Sequence, residues 1–143
     1  MVTNAELDFL ETVDVMLMRN ILKAPKSTPK EMLYLELGCT RFRDMIRKRR
    51  LSFLYYILNE PSDSLVNRFF EVQLRTRKSK DWVTTVLKDL ELLGIDKSFA
   101  VVTEIYKSSY NALLSKAINN IAFKELEKLK LSQSKVENVK QKC

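Results

Sequence analysis

Apolar positions recur every three to four residues along almost all of this 143-residue chain, and that spacing predicts helices. Leu7, Leu10, Val13, Leu17 and Ile21 mark a first helix, capped by Thr3 or Asn4 and running to about Leu22. Thr28, Pro29 and Glu31 have the spacing of a capping box with proline at the first helical position; they open a short helix that ends at Leu37 before Gly38. Thr40 is placed to cap a third helix, which reaches about Asn59 ahead of Pro61. On it Phe42, Met45, Ile46, Phe53, Tyr56 and Ile57 share a stripe at about 100° per residue, and this stripe is expected to face the core.

A fourth helix opens at Ser62 or Ser64, carries Leu65, Val66, Phe69, Phe70, Val72 and Leu74, and closes in the polar run 75–80. The fifth begins near Asp81 with Trp82, Val83, Val86, Leu87, Leu90 and Leu93. Gly94 is placed to end it in the left-handed conformation, as Gly38 ends the second. Ser98 and Ser108 open two more, the last bearing Leu113, Leu114, Ala117, Ile118, Ile121, Ala122, Leu126 and Leu129. SFLYYIL and FAVVTEIY resemble strands in composition but lack an alternating partner or a tight turn. After Leu131 the period is lost in SQSKVENVKQKC, which predicts a flexible basic tail. The expected fold is all-α, a single-domain bundle of about six or seven short helices over residues 1–131 with a disordered tail over 132–143.

Composition agrees with this reading. With 45% hydrophobic and 30% charged residues, two glycines and three prolines, turn-formers are too scarce for a hairpin-rich β fold. Cys39 and Cys143 are far apart and lack a Cys-x-x-Cys partner, so neither a disulfide framework nor a zinc site is indicated. No apolar run approaches the roughly 20 residues that span a bilayer, and the acidic start does not fit a signal or transit peptide. An intracellular protein of the nucleus or cytoplasm is expected, with no membrane partner, metal or cofactor.

Charge sharpens the picture. The chain carries a formal +7, and between Arg41 and Leu58 six basic residues stand against the single Asp44. The first forty residues hold four basic and six acidic side chains, so the positive excess lies entirely beyond Cys39. A polyanion is the expected partner, RNA or DNA held by sequence-independent backbone contacts. Arg43, Arg47 and Arg50 follow an i, i+4, i+7 row beside the predicted core stripe, a spacing able to engage successive phosphates, with Lys48 alongside. The plainer alternative is a solvated flank with pairs such as Asp44 to Lys48. Arg49 falls inside the apolar stripe and is expected to be a structural clamp paired with Glu36, Asp89 or Glu91. Arg75, Arg77, Lys78 and Lys80 could join Trp82 in a stacking platform for single-stranded nucleic acid; the competing reading makes Trp82 a core residue.

Signals for catalysis are missing. There is no histidine for a triad or general base, and Gly38 and Gly94 cannot make a phosphate-cradling loop. No two aspartates are adjacent, and no acid is followed two positions later by lysine, which removes the polymerase metal pair and the restriction-type nuclease core. The acid pairs Asp8 with Glu11, Asp89 with Glu91 and Glu125 with Glu127 read as surface charge. A non-catalytic role follows.

Taken in order, LETVDVMLMRNILKAPKSTPKEMLYLELGC, MIRKRRLSFLYYILN, DWVTTVLKDLELLGI and AINNIAFKELEKLK resemble the C-terminal region of animal non-LTR retrotransposon polyproteins, downstream of the reverse transcriptase core. The likeness spans roughly residues 5 to 131. Its most distinctive pieces are Leu33 to Gly38, Arg49-Arg50-Leu51 and Asp81-Trp82. Thr40-Arg41-Phe42-Arg43 departs from the proline, isoleucine and arginine that such elements commonly carry after the glycine. The resemblance implies a helical segment that follows the thumb and helps hold template RNA or target DNA. Arg49 and Arg50 are its matching basic positions, and the absent palm motifs mean that no polymerase activity comes with it. The rival reading is an interaction module that packs on a reverse transcriptase core or on itself, its arginines satisfying acidic patches. A relic with no selected activity is the third.

Overall fold

Capping chemistry sets several of the element boundaries. A computed structural model describes residues 3–141 as seven helices: α1 (Asn4–Leu22), α2 (Lys30–Leu37), α3 (Phe42–Asn59), α4 (Leu65–Thr76), α5 (Trp82–Leu93), α6 (Ala100–Glu104) and α7 (Lys107–Gln141). No strand occurs among the described residues. Thr3 and Glu6 form a reciprocal capping box, in which the Thr3 hydroxyl accepts from the Glu6 N–H at 3.3 Å and the Glu6 carboxylate accepts from the Thr3 N–H at 2.7 Å. Gly38 and Gly94 adopt φ of +61° and +68° and close α2 and α5. The next N–H in each case reaches back to Tyr34 O and Leu90 O at 2.9 Å. Ser64 caps α4 by accepting from the Asn67 N–H at 3.2 Å.

Four expected caps are corrected. Pro29 itself occupies the N-cap of α2 and Thr28 makes no side-chain cap bond; α3 starts behind Arg41, with no bond from Thr40; Phe99 rather than Ser98 is the N-cap of α6; and α7 begins at Lys107, which places Ser108 inside it. Arg41 has a different task, described below.

α3 is the hub, packing against α1, α4, α5, α6 and α7. Its C-terminal half contributes Leu51, Leu54 and Ile57 to the main core, which Phe70, Val83, Val86, Leu90, Ile95, Val102, Tyr110 and Leu114 complete. The buried Tyr110 hydroxyl donates to Leu51 O at 2.9 Å and so ties α7 to α3. A second, much smaller cluster of Met18, Leu33 and Tyr34 joins α1 to α2.

Two helices, α3 and α1, are turned away from their expected orientation. In α3 the inward residues are Asp44, Leu51, Leu54 and Ile57, whereas Met45, Phe53 and Tyr56 of the expected stripe are 40–50% exposed. At about 100° per residue the real inner face lies roughly 140° from the expected one, the two sharing only Ile57. In α1, Leu7, Glu11 and Met18 are inside, and Leu10, Leu17 and Ile21 point outward. The physical reason is common to both: the inner face of each includes charged groups that meet counter-charges on neighbouring helices, which a count of apolar residues cannot register.

The α7 backbone is helical through 132–141, beyond the end of the apolar period, and Leu131 to Lys135 are exposed. Cys143 lies outside the described residues.

Candidate interaction surfaces

The orientation of α3 decides the fate of the basic block. Arg50 donates to Asp89 of α5 through Nε at 2.7 Å and through Nη2 at 3.2 Å. Arg47 donates to Asp44 through Nη1 at 2.8 Å, and its Nε lies 3.4 Å from Asp89. Arg41 donates to Asp44 through Nε at 2.7 Å and pairs through Nη1 with Glu125 of α7. Arg43 pairs with Asp8 of α1 and lies 3.7 Å from Glu11, which also takes Lys30 at 3.3 Å. Asp44 is 1% exposed and Asp89 5%, while the side chains of Arg41, Arg47 and Arg50 keep only 13–17%. Burial works against the charge of Arg41, but the Asp44 hydrogen bond and the fields of Asp44, Glu125 and Glu11 outweigh it and hold the guanidinium above its ordinary range.

Five cations (Arg41, Arg43, Arg47, Arg50, Lys30) and five carboxylates (Asp8, Glu11, Asp44, Asp89, Glu125) thus close a neutral seam between the two apolar clusters. It bolts α3 to α1, α5 and α7. Arg43, Arg47 and Arg50, expected to form an open row facing phosphates, are instead each paired with a carboxylate of the same chain. Lys48, grouped with them, donates to Ser115 of α7 at 2.9 Å. The roles of Arg49 and its neighbours are reversed, because Arg49 is exposed and has no ion pair among the described residues, while Arg47 and Arg50 hold the Asp89 that it was expected to claim.

Sequence reasoning read Asp8, Glu11, Asp89 and Glu125 as surface charge and offered Asp89 as a clamp only for Arg49, so it missed the seam that these acids build. A signal existed for Asp89, which falls in step with Val86, Leu90 and Leu93 on the apolar face of α5. Tyr34, whose hydroxyl donates to Asp14 at 2.8 Å, was missed as well; burial and then that carboxylate push its phenol well above its ordinary range.

The 75–80 run is exposed throughout. Arg75 lies 4.0 Å from Glu71 with an 81% exposed side chain, and Arg77, Lys78 and Lys80 have no ion pair among the described residues. The turn itself is pinned, since Asp81 accepts from the Lys78 N–H at 2.8 Å and Thr84 donates to Lys78 O at 2.9 Å. Arg77 also borders a cleft of about 430 Å³ that Lys88, Lys97 and Phe99 help to line. Trp82 is half-buried and meets Phe53 and Phe70 edge-on at 5.6 and 6.3 Å.

That aromatic set opens onto the most apolar surface of this half of the fold. Along α4, Val66 and Phe70 turn inward while Leu65, Phe69 and Val72 are 57–73% exposed, so the apolar arc of the helix is only half covered. Leu65 and Phe69 join Phe53, Ile57 and Trp82 around a groove of about 290 Å³, with Tyr56 stacked on Phe53 at 5.9 Å. Arg49, one turn before Phe53, and Arg68, beside Phe69, carry no counter-charge among the described residues.

Among the described residues no three His, Cys, Asp or Glu side chains gather as metal ligands, and no helix is long and apolar enough to cross a membrane. The chain is an all-α bundle with apolar grooves and a basic helix whose Arg41, Arg43, Arg47 and Arg50 are paired with carboxylates. No protein-family model, curated protein or solved structure matches it.

Proposed function

We propose that this chain is a non-catalytic helical docking module whose basic helix is an internal bolt, and that a protein partner seats in the α3–α4–α5 groove. The observation that carries this reading is the uncovered half of the α4 apolar arc beside Phe53, Tyr56 and Trp82, a surface rich in the aromatic and arginine residues that dominate interface energetics. Leu65, Phe69 and Val72 at i, i+4 and i+7 match the pitch of a second helix. Arg49 and Arg68 without counter-charges select acidic flanks. The partner is thus an amphipathic helix with large apolar anchors on one side and carboxylates on the other. Its source, on the resemblance described above, is a reverse transcriptase core.

The test uses the single tryptophan as reporter. Synthetic amphipathic helices with Leu and Phe anchors, flanked by Glu in one set and by Lys in the other, are titrated against the chain while Trp82 emission is followed. Glu-flanked peptides should bind and Lys-flanked ones should not, with Phe69→Asp abolishing the signal. Absence of any response, or indifference to Phe69→Asp, overturns the reading.

A second reading keeps single-stranded RNA or DNA as partner. Its support is the exposed Arg77, Lys78 and Lys80 beside the cleft that Lys88 shares, now without the α3 row. A steep loss of oligonucleotide affinity with salt, absent for the peptides, distinguishes it.

A further inference from the structure

α1 has two apolar faces and the fold uses one. Leu7 and Met18 are inside, while Phe9, Leu10, Met16, Leu17 and Ile21 point outward with exposures of 38–68%. At about 100° per residue these five occupy an arc of roughly 140°. Phe9 with Met16 and Leu10 with Leu17 repeat at seven residues, the spacing of a helix-pairing seam. Together they leave on the order of 500 Å² of apolar surface in water, the size of the largest patch on an ordinary monomer.

What covers this face can be argued from the ends of the helix. Glu6 is exposed at its start and falls on this face, whereas Asp8 turns the other way onto Arg43; Lys23 and Lys26 are exposed at and just beyond its close, with no ion pair for either lysine among the described residues. A copy of α1 laid antiparallel puts each acidic end beside the other's basic end and opposes the two helix dipoles; a parallel copy brings like ends together. We propose that α1 pairs antiparallel with α1 of a second copy about a twofold axis that crosses the exposed face at the level of residue 15, setting Phe9 against the copy's Ile21 and Val13 against its Leu17. Such an interface is isologous and closes at two chains. It hides on the order of 1,000 Å², the lower bound for a specific contact, so the dimer is of the weak, concentration-dependent kind. The proposal stands apart from the α3–α4–α5 groove, which uses other helices.

Molar mass by light scattering tests it on the full chain. At about 100 μM, well above the micromolar Kd expected of a small interface, the mass should be twice that of the chain and fall to one chain on dilution. Leu17→Asp and Ile21→Asp should both be monomeric with unchanged circular dichroism and melting, because both side chains already face water. Phe69→Asp in the groove should leave the dimer intact. For direction, Phe9→Cys and Ile21→Cys are made separately in a Cys39→Ser, Cys143→Ser background, mixed and oxidised, and the mixed 9-to-21 dimer should dominate. A chain that is monomeric at this concentration, a dimer indifferent to Leu17→Asp or lost with Phe69→Asp, or a product dominated by 9-to-9 and 21-to-21 dimers overturns the proposal.

Discussion

Replacing Asp89 by alanine is the most direct test of the neutral seam. Asp89 holds Arg50 through two hydrogen bonds at 2.7 and 3.2 Å and stands 3.4 Å from Arg47. Arg50 has no other carboxylate among the described residues, so the substitution leaves a guanidinium with 17% side-chain exposure and no counter-charge, whereas Arg47 keeps Asp44. Removing one member of a buried pair costs about 3–5 kcal/mol, a large share of the roughly 5–15 kcal/mol that holds a domain of this size. Urea titration followed by Trp82 emission and circular dichroism should show that loss, and the melting temperature should fall by roughly 10 °C. Asp89→Leu combined with Arg50→Met removes both charges together, and the pair should recover most of the stability. A cost below about 1 kcal/mol for Asp89→Ala would refute the reasoning: Arg50 would then be finding water readily, as a surface pair does, and the row on α3 would again be open to phosphates.

The other expectations concern register, pH and salt. Leu54→Ala should cost about 2–5 kcal/mol in the same urea assay and Met45→Ala under about 1 kcal/mol; the reverse order would mean that α3 is turned the other way. Tyr34 and Tyr110 both have phenols raised by burial, so the fold favours their neutral forms. Their contribution is complete below the ordinary phenol range near 10 and is lost as pH rises above it, so an alkaline titration at 295 nm should show these two ionising only as circular dichroism reports unfolding. If a single-stranded oligonucleotide binds, Lys78→Ala with Lys80→Ala should lower its salt slope by about one per cation removed, and Arg50→Ala should leave that slope unchanged while lowering stability.

The helical class, the order of the seven elements and the two glycine stops were legible in the sequence, because period and capping are local properties. The inner faces of α1 and α3 were not. An apolar count assigns Phe53 and Tyr56 inward and Arg47 outward, but burial of Arg47 depends on Asp44 three residues before it and on Asp89, 42 positions further along the chain. Neither local propensity nor hydrophobic period contains that second distance. Arg49 failed for the mirror reason: it sits among apolar neighbours on a face that the carboxylates turned toward water. The 75–80 run was legible as exposed, since it spans the end of α4 and the turn into α5 and carries no apolar side chain to bury.

The ionic seam has a consequence for how the molecule opens. On one side lies a core of eleven buried residues, on the other a cluster of three holding α1 to α2. The hairpin of α1 and α2 therefore behaves as a separate foldon, its attachment governed by charge as much as by grease. Native-state exchange should resolve two tiers of amide protection, with the boundary at the turn between Gly38 and Phe42.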